Sequence, residues 1–92
     1  MNKSELIDKI ANDAGITKAA AQRSIESMIE GIGSSLHKDE RTTLVGFGTF
    51  TLSKRKARTG RNPQTGATIE IPAKQSVRFR AGKELEEMLN RR

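Results

Sequence analysis

The residues best placed to do chemistry lie between Lys54 and Gly66, in the run KRKARTGRNPQTG. Five of its first eight residues are basic (Lys54, Arg55, Lys56, Arg58 and Arg61), and no aliphatic side chain in it is larger than Ala57. Such a stretch cannot bury itself in a core. Its charge, concentrated and almost unopposed, points to a polyanionic partner. The run ends in Asn62-Pro63-Gln64-Thr65-Gly66, which is turn chemistry, because proline fixes φ and glycine permits a positive φ. Other chemistries find few residues to use. The chain has no cysteine and a single histidine, His37, beside a helix end. No metal cluster and no nucleophile–base pair can be assembled from it. We therefore expect a binding protein rather than an enzyme, with no cofactor, no metal and no small-molecule substrate.

The net charge of +6 is unevenly spread. Residues 1–40 carry five basic and seven acidic side chains, whereas residues 41–83 carry ten basic residues against the single Glu70. Residues 84–92 add two arginines and three glutamates. The positive field thus belongs to the middle of the chain, around the turn.

The elements that must position this segment are legible from periodicity. Asn2 followed by Glu5 has capping-box spacing, and Leu6, Ile7, Ile10, Ala11 and Ala14 form one helical stripe ending at Gly15. Thr17 can cap a second helix, whose stripe runs through Ala21, Ile25, Met28, Ile29, Ile32 and Leu36. Gly31 and Gly33 cost about 1 kcal/mol each in a helix, so close approach of a neighbouring helix is expected there. The period then changes to two. Thr42 to Val45 reads as a short strand and Gly46-Phe47-Gly48 as a tight connection or bulge. From Thr49 to Leu52 the pattern alternates, with Phe50 and Leu52 on one face; Lys54, Lys56 and Arg58 share it if no bulge intervenes. The return strand places Ile69, Ile71, Ala73, Val77 and Phe79 on one side and Lys74, Arg78 and Arg80 on the other. Pro72 suits an exposed edge or bulge. A last short helix follows Gly82, with Leu85, Met88 and Leu89 as its stripe.

The 92 residues make a single domain, residues 1–92, of the α+β class. Helices occupy 1–37, a three-stranded antiparallel sheet occupies 41–80, a β-ribbon arm extends over about 53–76, and a C-terminal helix occupies 82–92. With 34% hydrophobic residues, three phenylalanines and a quarter of the chain in an arm, the body is too small for a strong core of its own. Without cysteines to staple it, dimerisation is the cheapest remedy. The opening MNKSEL lacks an apolar signal-peptide core, and no run approaches the roughly 20 apolar residues of a membrane span. A soluble, cytoplasmic protein with no membrane partner is expected.

Several of these residues together carry a family resemblance. Gly46-Phe47-Gly48-Thr49-Phe50, Arg55, Arg58, Gly60-Arg61-Asn62-Pro63 and Thr65-Gly66 form a long spaced pattern similar to that of the bacterial histone-like DNA-binding proteins, which comprise HU and integration host factor. The opening MNKSELID and the stretch FRAGKEL match as well. The resemblance implies an intertwined homodimer, a helical base bearing two arms that follow the minor groove of double-stranded DNA in the nucleoid. On it, Pro63 is the wedge that opens a base step, and Arg55, Arg58, Arg61 and Asn62 are arm contacts. Lys3 and Lys83 are phosphate contacts on the body, and Lys54, Lys56, Lys74 and Arg80 complete the DNA surface. Phe47, Phe50 and Phe79 join Ile29, Ile32, Leu36 and Leu44 in the dimer core. Glu84, Glu86 and Glu87 depart from a pattern that would let DNA flanks wrap along the last helix.

Each assignment competes with a plainer one. Pro63 alone is an ordinary turn proline, and the three phenylalanines could be stacking platforms for single strands, though core is the better reading in so apolar-poor a chain. A bender of low sequence specificity that prefers bent, nicked or flexible sites is expected, because the minor groove offers a degenerate hydrogen-bond pattern. The alternatives are a sequence-specific bender of the integration-host-factor type and, from another class, a helix-turn-helix reader using residues 3–37.

Overall fold

Asn2 opens the first helix as its residue type promises, its Oδ1 accepting a hydrogen bond from the Glu5 backbone N–H at 2.8 Å. The structure is a computed structural model and describes residues 1–91. Helix α1 runs Lys3–Ala14 and stops at Gly15, whose φ of 66° is the left-handed conformation of a helix C-terminus. On its surface Lys9 bonds Asp13 at 2.6 Å, and that hydrogen bond, with the neighbouring charge, holds the Lys9 ammonium pKa above its ordinary value. Thr17 caps helix α2, Lys18–His37, by accepting the Ala20 N–H at 3.0 Å.

The chain divides into two compact units, Met1–Ser34 and the part from Ser35 onward. In the second, strands β1 (Thr42–Leu44), β2 (Gly48–Arg55) and β5 (Lys74–Ala81) form one antiparallel sheet in the order β1-β2-β5. Strands β3 (Arg58–Arg61) and β4 (Thr68–Ile71) form a separate two-stranded ladder, and helix α3 spans Lys83–Asn90. The architecture is α+β. The β1–β2 connection is as tight as its glycines suggest: Gly46 has φ 89°, and the Phe47 N–H bonds the Leu44 carbonyl at 2.9 Å.

Gly48 shows why one position in this corner must lack a side chain. A Cβ there would lie 2.6 Å from both the Arg80 carbonyl oxygen and the Phe79 ring. The strand therefore closes directly onto the aromatic cluster, in which Phe79 lies 4.9 Å from Phe50 and 5.2 Å from Phe47, ring centre to ring centre. These separations suit tilted aromatic pairs.

The apolar side chains are less well covered than the helical stripes suggest. Among the described residues, the buried apolar ones are Ala11, Ala21, Ile25 and Leu36. Ile29, Phe47 and Phe79 remain 55%, 42% and 42% exposed, and Met28, Val77, Met88 and Leu89 are exposed as well. Within this chain nothing lies within 4 Å of where the Cβ atoms of Gly31 and Gly33 would be.

Candidate nucleic-acid interface

The arm is built by one register. Gly48 pairs with Ala81 and the ladder continues residue for residue to Arg55 opposite Lys74. It is then interrupted and resumes with Arg58 opposite Ile71, ending at Arg61 opposite Thr68. The interval consumes two residues on each strand, Lys56-Ala57 and Pro72-Ala73, so no extra residue shifts the pairing. Pro72 lacks an N–H and cannot act as a ladder donor. Across this gap the Arg55 guanidinium donates to the Pro72 carbonyl at 3.2 Å, a stitch made by a side chain where the backbone ladder stops.

Because opposed residues in an antiparallel pair share a face and successive pairs alternate, the register sorts the charges. Phe50–Phe79 and Leu52–Val77 lie on one side, in parity with Arg58–Ile71 and Gly60–Ile69. Thr49–Arg80, Thr51–Arg78 and Arg55–Lys74 lie on the other, in parity with Thr59–Glu70 and Arg61–Thr68. In the inner ladder one face thus gathers Arg80, Arg78, Arg55 and Lys74, and in the outer ladder Arg61 shares a face with Glu70. All six side chains are exposed. The pattern of alternation groups Arg78 with Lys74 and Arg80 without assigning it a contact; the register places it between them on the same charged face.

Lys54 takes the parity of Phe50, and Lys56 falls in the unladdered interval. Both nevertheless line a hollow of about 540 Å³ with Arg55, Ala73, Lys74 and Gln75. Four cationic side chains therefore border a single groove just below the interruption.

The tip is an ordered turn. Asn62 Oδ1 accepts from the Gln64 N–H at 2.9 Å, its carbonyl accepts from Gly66 at 2.7 Å, and its own N–H reaches the Ala67 carbonyl at 2.9 Å. Gly66 adopts φ 72°, which closes the turn at low steric cost. Pro63 is held exposed at the outer end by this network.

The sequence-assigned cations divide by whether they already have a partner. Lys3 lies 3.4 Å from Glu26, Lys54 2.8 Å from Asp39 and Lys83 3.8 Å from Glu87. Among the described residues, Arg55, Lys56, Arg58, Arg61, Lys74 and Arg80 are in no carboxylate ion pair. Lys18, at the start of α2, is engaged by Asp8 at 3.3 Å, so the helix that a major-groove reader would insert has a partnered cation at its entry. No group of three potential metal ligands occurs among the described residues, and no helix there is long and apolar enough to cross a membrane.

Comparison with known proteins finds matches over nearly the whole chain. The family model described as bacterial DNA-binding protein matches residues 1–90. The HU-beta DNA-binding protein of Serratia marcescens is 53% identical over 90 residues, covering 98% of this chain and all of that protein. Its counterpart in Pseudomonas aeruginosa is 51% identical with the same coverage. Among solved structures, an Anabaena HU–DNA cocrystal structure matches with a TM-score of 0.85 at 41% identity, each chain fully covered. HU from Thermotoga maritima matches at 0.68 and 29% identity, over 97% of this chain and 98% of that one.

Proposed function

The chain belongs to the bacterial DNA-binding protein family, and from that premise we propose that it binds and bends duplex DNA as an architectural protein of the nucleoid, with little regard to base sequence. The observation that carries this reading is the charged face of the ribbon. The register aligns Arg80, Arg78, Arg55 and Lys74 on one face of the inner ladder and carries Arg61 in the outer one, and the turn at its end holds Pro63 outward. Contacts of this kind go to phosphate, position the protein and carry no direct sequence information. The arm follows the minor groove, where arginine responds to width and potential, and Pro63 enters a base step. That DNA is bound by an HU relative of the same fold supports the assignment.

The working unit is a homodimer. Met28, Ile29, Phe47, Phe79, Met88 and Leu89 are exposed in the single chain, and the open space over Gly31 and Gly33 admits the close approach of another helix. Similarity to HU-beta proteins favours the low-specificity reading over one of the integration-host-factor type.

Binding isotherms on unrelated duplexes across a salt series test the proposal. Log affinity should fall linearly with log salt, with nearly the same slope for every sequence, and nicked duplex should be preferred. One sequence that keeps its affinity at high salt while the others lose theirs would transfer the assignment to a sequence-specific bender.

A further inference from the structure

Asp39 stands where both the backbone and the helix dipole disfavour it. The Asp39 N–H bonds the Leu36 carbonyl and the Glu40 N–H bonds the Ser35 carbonyl, each at 2.9 Å, so α2 ends in a Schellman motif with Asp39 at the left-handed position. Its φ is 59°, the only positive value at a non-glycine residue among those described. Glycine is the usual occupant there, and a negative charge opposes the negative end of the helix dipole. What its carboxylate gains is Lys54, whose Nζ lies 2.8 Å from Oδ2. Lys54 in turn borders the same cationic groove as Arg55, Lys56 and Lys74.

We propose that Asp39 is an internal stand-in for phosphate, a positioning residue that holds Lys54 in the free protein and competes with the DNA backbone for it. The inference rests on the duplex-binding reading and adds a residue that lies outside the arm. Both side chains are more than half exposed, 56% for Lys54 and 60% for Asp39, so a phosphate can reach the ammonium. When it does, either the ion pair breaks or the carboxylate remains beside the incoming phosphate and repels it. In both cases the Lys54 contact yields less affinity than a free lysine would. The freed carboxylate also attracts a cation, which offsets part of the counterion release that Lys54 would otherwise contribute.

The test is a double-mutant cycle of Asp39→Asn and Lys54→Gln, read as the slope of log affinity against log salt on one random-sequence duplex. Asparagine tolerates the left-handed region at least as well as aspartate, so the variant keeps the helix end while losing the charge. Asp39→Asn should bind roughly two- to five-fold more tightly, the range of an exposed ion pair. Its slope should steepen by up to about 0.9, the contribution of one phosphate contact. Lys54→Gln should flatten the parent's slope by clearly less than the increment of one phosphate contact and remove the gain in the Asp39→Asn background. A purely structural role for Asp39 would move the melting temperature and leave the salt slope unchanged. If the parent shows a steep slope and Asp39→Asn superimposes on it, this inference is wrong while the duplex-binding reading stands. It is equally wrong if Lys54→Gln flattens the parent's slope by the full increment, because Lys54 would then already contact phosphate unhindered. If the parent shows no salt-dependent duplex binding, both fall together.

Discussion

Pro63 carries no charge and donates no hydrogen bond, so its contribution cannot be electrostatic. It sits at the outer end of a turn fixed by three hydrogen bonds to Asn62, which makes the ring a rigid projection. Opening a base step costs a few kcal/mol, and nicks or flexible pyrimidine–purine steps lower that cost. Replacing Pro63 with Ala should therefore abolish most of the preference for nicked over intact duplex and leave low-salt affinity for straight duplex nearly unchanged. Arg61→Ala should do the reverse, weakening binding to every substrate and flattening the salt slope by about 0.9. Isotherms on intact and nicked duplex, with end-to-end energy transfer to follow bending, separate the two. A Pro63→Ala protein that bends as sharply as the parent reduces Pro63 to a turn residue. Gly48 makes a different kind of demand. Its Cβ would press on the Arg80 carbonyl and the Phe79 ring at 2.6 Å, neither of which is the free end of a flexible side chain. Gly48→Ala should cost about 1–3 kcal/mol, the range of core overpacking, and urea unfolding would measure it.

The elements differ in how much of them the sequence shows. Caps and stops are legible: Asn2, Gly15 and Thr17 act through local chemistry, and each does what its residue type allows. The two faces of the ribbon are also legible, because alternation of Phe50 and Leu52 with Thr49 and Thr51 needs no tertiary information. The interruption is only half legible. Pro72 signals it, but that the gap preserves register depends on the opposite strand also yielding two residues, Lys56 and Ala57, and nothing local to those residues announces it. The Lys54–Asp39 pair spans 15 residues and two elements, and charge counting cannot locate such a partner. The interruption yields a prediction at this scale. Replacing Pro72 with Ala restores an N–H and frees φ, so amide protection against hydrogen exchange should rise at residues 56, 57 and 73. Unchanged exchange would mean that strand twist, not the missing donor, opens the ladder.

At the scale of the whole molecule, one chain leaves its apolar surface unfinished. Gly31 and Gly33 weaken α2 by about 1 kcal/mol each with no compensating neighbour in the chain, and Phe47 and Phe79 stay partly exposed. Periodicity announces that the apolar stripes need cover, and the small core points to a second copy, but spacing alone carries no information about which chain supplies the cover. Phe79 distinguishes a lone chain from a dimer by magnitude. In the single chain its ring is 42% exposed, so its burial is incomplete, and its tilted pairs with Phe47 and Phe50 add about 0.5–1.5 kcal/mol each to the area it does bury. Closed over by a second copy, the same ring becomes a buried core residue whose loss to Ala costs about 3–5 kcal/mol. The homodimer therefore predicts a Phe79→Ala penalty in the larger range. It also predicts a parent melting temperature that rises with protein concentration, since assembly stabilises only the associated state. Sedimentation of the parent should give twice the chain mass of 10.1 kDa, and the Phe79→Ala variant should dissociate on dilution before the parent does. A parent that sediments as a monomer and melts at a concentration-independent temperature would leave the exposed apolar face without its proposed partner.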